Sequence, residues 1–173
     1  MKTSILAILV LFAPLYLIAP AKAYNPQDLE QLKTTNTCPR CDLSSAPLNN
    51  LDLTRANLRS ANLSRANLFQ ANLAGADLSS ANLEAANLSG ANINDAIMVG
   101  ANLKAATLVN ANLNGAGLMA ANLEGTNLRG ASMELVNSRG AIFRLTILPS
   151  GVVTPNRTLG RLERVRVRGR TEK

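Results

Sequence analysis

Apolar side chains return at every fifth residue through most of this chain. From Cys41 to Leu145 the sequence divides into 21 blocks of five without an insertion. The central position of each block holds Leu43, Leu48, Leu53 and their successors to Leu88, then Ile93, Met98 and Leu103, and finally Leu128, Met133, Ser138 and Phe143. Two residues before it stands Ala in most blocks, as at Ala56, Ala61 and Ala66, and between the two lies Asn or Asp, as at Asn57, Asn62 and Asp77. A period of five matches neither the 3.6 of an α-helix nor a long alternating strand. A helix would scatter the leucines over every face and leave no polar side. Within one block, however, Ala in, Asn out and Leu in is the alternation of extended chain. It lasts three residues, and the two that follow, often Ser, Gly or a charge, must turn the chain. A corner every five residues closes a square in four blocks, so residue n lies beneath residue n+20. Successive coils then stack through parallel hydrogen bonds about 4.8 Å apart. The pattern predicts an all-β, four-sided parallel coil over residues 41–148, with leucines interlocked along its bore and alanines where the axis is crowded. Each buried leucine contributes roughly 1.5–3 kcal/mol.

Such a coil touches only its neighbouring turns, so its two ends need caps. Asn25-Pro26 is a helix start, with Asn at the N-cap and Pro at the first helical position. Asp28 and Glu30 suit the positive end of the helix dipole. Leu29 and Leu32 are spaced to face the first coil, which predicts a short capping helix from Pro26 to Lys33 within an N-terminal cap of residues 24–40. At the other end Val136 replaces Ala, Ser138 replaces Leu and Phe143 enters, so the coil closes or widens there before a tail of residues 149–173. Residues 1–23 read as a leader: Lys2 is followed by an apolar run from Ile5 to Ile18 and by the small-x-small site Ala21-Lys22-Ala23. That run is shorter than the roughly 18 to 20 residues of a membrane span. Cleavage after Ala23 would export the chain to a periplasm, a thylakoid lumen or the extracellular space.

The blocks carry a resemblance. The motif A(N/D)LXX, shown by Ala61-Asn62-Leu63-Ser64-Arg65 and its neighbours, resembles the pentapeptide-repeat family. The lead-in Cys38-Pro39-Arg40-Cys41-Asp42-Leu43 and the exit Ile147-Leu148-Pro149-Ser150-Gly151 are similar to those of exported cyanobacterial members. The resemblance implies a right-handed quadrilateral β-helix and a family whose members mostly lack a known biochemical activity. Its best-known functional members mimic DNA and bind gyrase, but they are cytoplasmic and acidic on the surface. Here residues 24–138 hold 7 basic and 9 acidic side chains, net −2, which leaves DNA mimicry a remote alternative.

Placing residues 20 apart in columns separates structural charges from candidate contacts. Ser64, Glu84, Lys104, Glu124 and Arg144 form one outward column whose signs alternate, a solvated ladder worth about 0.2–1 kcal/mol per pair. On another side Val99 and Met119 stack, with Ile97 beside them, all three pointing outward. Phe69 and Val109 point outward on the opposite side. An exposed apolar cluster marks a partner surface when it is contiguous, while scattered apolar residues are normal; Ile97, Val99 and Met119 are the candidate patch.

Composition removes most chemistry. Histidine is absent, which excludes Ser-His-Asp and Cys-His nucleophile systems, His-based zinc sites and the usual base near neutral pH. Two cysteines, Cys38 and Cys41, are too few for a four-thiolate zinc site within one chain. Their C-x-x-C spacing matches thiol-redox motifs, but those work at a helix N-terminus that lowers the thiolate pKa, and here a β-coil follows. A local disulfide or two packed thiols at the cap is the expected reading, with a redox-regulated pair and, more remotely, a metal or catalytic role as alternatives. No catalytic residue, cofactor or metal site is assigned, and an enzyme is not expected. The overall charge of +7 belongs to the end of the chain: residues 139–173 hold 9 basic and 2 acidic side chains, net +7. Arg161, Arg164, Arg166, Arg168 and Arg170 interleave there with Leu162, Val165 and Val167, as an edge strand or as a basic arm. Such an arm attracts anionic partners, including an anionic membrane surface. Export and the absence of aromatics in the tail disfavour nucleic acid. The sequence therefore points to an extracytoplasmic structural or protein-interaction module, with another protein as its expected partner. The alternative is a redox-linked regulator built on the cysteine pair.

Overall fold

The computed structural model describes residues 24–156; residues 1–23, read above as a leader, and residues 157–173 lie outside the described residues. One helix, α1 (Pro26–Thr35), precedes the coil. The Asn25 side chain accepts from the Gln27 N–H at 2.9 Å, which caps the helix start. It runs two residues beyond the expected end at Lys33. Thr34 and Thr35 turn their hydroxyls back to Glu30 O (2.9 Å) and Gln31 O (2.8 Å), and Asn36 then stops the helix in a left-handed conformation, φ 52. Leu29 and Leu32 are buried on the face that covers the first coil.

From Thr37 onward every parallel bridge joins residue n to residue n+20, beginning with Thr37↔Asn57 and ending with Asn127↔Ile147. Each side of a coil contributes one bridged residue, the second of its block and in most blocks Asn or Asp, and no longer strand forms among the described residues. The reason lies in the corners. At each, a four-residue turn closes from the block centre to the next Ala, as from Ala61 N–H to Leu58 O at 3.1 Å. The second central residue, here Ser60, has φ 56, the positive value a type II turn requires. Only three residues remain for extended chain. The ladder also begins before Cys41, inside the segment expected as cap: Cys38 takes a block-centre position beneath Leu58 and is fully buried.

Asn at the second position satisfies two needs at once. Its Oδ1 accepts the N–H two residues on, as Asn82 does for Glu84 at 3.2 Å. Its Nδ2 reaches the residue a coil below, giving a column in which Asn62 donates to Asp42 (3.0 Å) and Asn102 donates to Asn82 (3.1 Å). Inside, the block-centre residues from Leu43 to Leu123 are buried without exception, and alanines line the corners between them. The Ala column over Ala106 continues as Thr126 and Thr146, whose buried hydroxyls donate to Leu103 O (2.7 Å) and Leu123 O (2.6 Å).

The outward charge ladder forms only in part. Glu124 meets Arg144 at 2.6 Å and Lys104 at 3.9 Å, but Glu84 makes no ion pair with Lys104. Lys104 extends upward to the carboxylate that Arg144 already draws in, and Glu84 instead accepts from Asn102 Nδ2 at 3.4 Å.

Candidate interaction surface

Ile97 lies between Asp77 below and Gly117 above on one side of the coil. Backbone bonds fix the neighbouring column: Ser80 N–H to Val99 O at 2.9 Å, and Gly100 N–H to Met119 O at 2.8 Å. The structure thus brings Ile97, Val99 and Met119 onto one face. Ile97 is 46% exposed, Met119 is 38% exposed, and Val99 is half-buried between them. Gly117 leaves a notch beside both: an added Cβ would meet only Ala96 O, at 3.9 Å.

These positions depart from the rule that organises the rest of the surface. Elsewhere on this side Asp77 accepts the Ser79 N–H (3.0 Å) and Asn137 accepts the Arg139 N–H (3.3 Å). Ile and Gly have no such acceptor, so two successive coils give up the local turn bond at one place. Below the patch Asp77 pairs with Arg59 at 3.0 Å, across 18 residues. Burial pulls the Asp77 carboxyl up, but hydrogen bonds from the Ser79 hydroxyl and N–H and the Arg59 guanidinium outweigh it and hold the group below the usual carboxylate range. Asp52, on another side, is likewise lowered by the Thr54 hydroxyl and then by the Thr54 N–H. Above the patch Arg139 is exposed. The surface is an apolar centre with a polar rim at each end. Phe69 and Val109 lie on the opposite face, and there Asn87 and Asn127 keep their turn bonds on either side of Thr107.

Cys38 and Cys41 are joined by a disulfide, Cα to Cα 5.4 Å, at the corner beneath α1. Both are buried, so an exchanging thiol reaches them only after the cap opens. The candidate tail residues Arg161, Arg164, Arg166, Arg168 and Arg170 lie outside the described residues. Among the described residues no cluster of acidic or sulfur side chains has the form of a metal site, and no helix is long and apolar enough to cross a membrane. A groove of about 380 Å³ on the side that carries Ser64 and Glu84 is open to solvent.

The sequence reasoning missed two features. One is the inward threonine column of Thr126 and Thr146, legible only as a polar residue at an Ala position. The other is a second exposed apolar group at the end of the coil, Leu135, Ile142, Leu145, Val152 and Val153. Leu135 and Leu145 stand at fifth positions of their blocks, which the repeat turns outward, and that signal was available.

Comparison with known proteins agrees with the coil. The model of the pentapeptide repeats family matches with 8 copies, over residues 40–73, 61–98 and 96–134. A comparison with curated proteins finds no significant match. Among solved structures, the pentapeptide repeat protein Rfr23 of the cyanobacterium Cyanothece 51142 is 33% identical, with a TM-score of 0.65 over 66% of this chain and 92% of its own. A pentapeptide repeat protein from the Arabidopsis thaliana thylakoid lumen is 29% identical, with a TM-score of 0.47 over 76% of this chain and 87% of its own. Proteins of this type form right-handed quadrilateral β-helices and serve in general as structural or interaction modules. With a 20-residue parallel ladder and repeats matched over more than half of its length, the chain belongs to the pentapeptide-repeat family.

Proposed function

We propose that this protein is a non-enzymatic interaction module of an extracytoplasmic compartment, and that it presents the face of Ile97, Val99 and Met119 to a protein partner. One observation carries the reading. On that face two adjacent coils replace the Asn that elsewhere bonds its own turn, and they expose Ile97 and Met119 instead. An apolar centre with a polar rim is the anatomy of a protein-binding patch. The leader-like residues 1–23 support the compartment, and the buried disulfide is consistent with an oxidising one.

The test is proximity labelling with fractionation, on the wild type and on Ile97→Asp combined with Met119→Asp. Both side chains are exposed, so the fold and its thermal midpoint should hold while a discrete set of labelled proteins disappears. An unchanged labelled set would defeat the assignment of the face. Recovery of the chain with its first residue retained, in the cytosolic fraction, would defeat the compartment.

A further inference from the structure

The cations of the coil are not spread evenly over its four sides. The side that carries Ile97, Val99 and Met119 holds Arg59 and Arg139 at fourth positions, with Arg40 and Arg55 at its two corners. Against these four arginines stands one carboxylate, Asp77. Arg59 already neutralises it at 3.0 Å, through one guanidinium nitrogen. Arg40, Arg55 and Arg139 are exposed and form no ion pair among the described residues. The adjoining side is the reverse: its carboxylates are Asp52, Asp95 and Glu134, and its one cation is Arg55, at the shared corner. The Arg55 stem climbs that corner toward the coil of Asp77, in space that Gly75 leaves open; an added Cβ there would stand 3.4 Å from Arg55 Cγ.

The 20-residue register fixes the order of these groups along the axis. Arg59 lies two coils below Val99, Met119 one coil above Val99, and Arg139 one coil above Met119. Arg59 and Arg139 are thus four coil steps apart, about 19 Å. The apolar group lies between them. About six residues of extended chain span that length.

We propose that the partner meets this face with an acidic peptide segment. One apolar side chain enters beside Gly117, and carboxylates on either side of it meet Arg139 at one end and Arg40, Arg55 and Arg59 at the other. This chemistry rests on the assignment of the face to a protein partner, and names what that partner carries. A guanidinium fork takes a carboxylate through two bonds. Arg59 spends only one nitrogen on Asp77. The arginines steer an acidic segment onto this side, while the carboxylates of the adjoining side repel it. A second copy of the chain fits less well. Its acidic side complements the arginines, but the one large apolar side chain turned outward there, Leu135, stands in the last coil. Asp52 and Asp95 both lie on the same side of it, so it cannot place carboxylates at both ends of an apolar anchor.

Fluorescence anisotropy of short labelled peptides tests this on the full chain. One peptide carries a Leu between glutamates, a second the same Leu between lysines, and a third the glutamates with Ser in place of Leu. At low salt the chain should bind the first at least about fivefold tighter than either of the others. Added salt should shrink the preference over the lysine peptide. Arg55→Glu combined with Arg139→Glu should cut that preference to less than about twofold; both side chains are exposed, so the thermal midpoint should hold. The basic end of the chain is the same in every protein compared, so the face alone differs. Equal binding of the glutamate and lysine peptides, or a preference that survives the arginine variant, overturns the acidic partner. If Ile97→Asp with Met119→Asp still abolishes binding in that case, the face remains a binding surface and only its charge chemistry falls. Binding indifferent to both variants overturns the face itself. Self-association of the chain at low salt, removed by the arginine variant, overturns the peptide in favour of a second copy.

Discussion

Replacing Leu83 by Ala tests the bore directly. Leu83 is 0% exposed and lies between Leu63 and Leu103 in one inward column. Three carbon atoms leave, and at about 0.8 kcal/mol per buried methylene the transfer loss alone is about 2.4 kcal/mol. Whether the walls relax into the gap decides the rest. Here they are pinned: Leu83 N–H bonds Asn102 O and Leu63 N–H bonds Asn82 O, each at 2.7 Å, so the coil spacing cannot shrink around one site. The cavity persists, and the total cost should fall at about 3–5 kcal/mol. At about 4 °C per kcal/mol for a domain of this size, the midpoint falls by about 12–20 °C. Met133→Ala is the control, because Met133 is only partly buried at the open end and should cost less than about 2 kcal/mol. Thermal and urea unfolding followed by circular dichroism read both variants. Coils touch only their neighbours, so a gap in the middle also separates two stacks and should reduce the urea dependence. Equal losses for the two variants, or a fall below about 4 °C for Leu83→Ala, would refute a leucine-filled bore.

Two further outcomes follow from the site geometry. The folded-state pKa of Asp77 is lowered, so its contribution to stability is present above the ordinary value of 3.8 and is lost as pH falls through the lowered one. Asp77→Asn should therefore flatten the acid limb of a midpoint-against-pH curve, and an identical limb in both proteins would contradict the Asp77–Arg59–Ser79 arrangement. Reducing the Cys38–Cys41 disulfide returns only a short loop's worth of chain entropy to the unfolded state and should cost about 2 kcal/mol in urea titration. Loss of the β signal on reduction, without urea, would show that the first corner holds the whole coil together.

The coil was legible because every block solves the same steric problem. Leu88 and Leu108 need identical surroundings, and the fixed register of 20 follows from the corner at every fifth residue. Legibility failed where a block meets the rule with different atoms. Thr37-Cys38 has neither the Asn nor the Leu of the motif, yet Thr37 bridges Asn57 and Cys38 fills the bore, so the ladder starts a block early. Thr34 and Thr35 lengthen α1 through hydroxyl bonds that helix propensity does not describe. Lys104 sits between two carboxylates in its column, and side-chain reach, not column order, decides that it meets Glu124. The patch was legible as a column, but the half-burial of Val99 depends on the bulk of its neighbours, which no period encodes.

The repeat assigns its first and third positions to the bore and its second to the Asn ladder, leaving the fourth and fifth unspecified by the fold. Apolar residues at those last two positions are therefore weak signals: Phe69 and Val109 stand at fourth positions between blocks that otherwise keep their hydrogen bonds. A second position that abandons Asn is a stronger one, because it forfeits a bond within its own turn. Pro47, Thr107 and Ile147 do so on one side, but never in successive coils. Ile97 and Gly117 do so in succession, one above the other, and Val99 and Met119 flank them at the fourth positions of the same two blocks. The fold gains nothing from that coincidence, whereas a partner inserting one apolar side chain beside Gly117 would contact Ile97 and Met119 together. The physical case for that face is that the bonds given up are local and the surface gained is shared between coils.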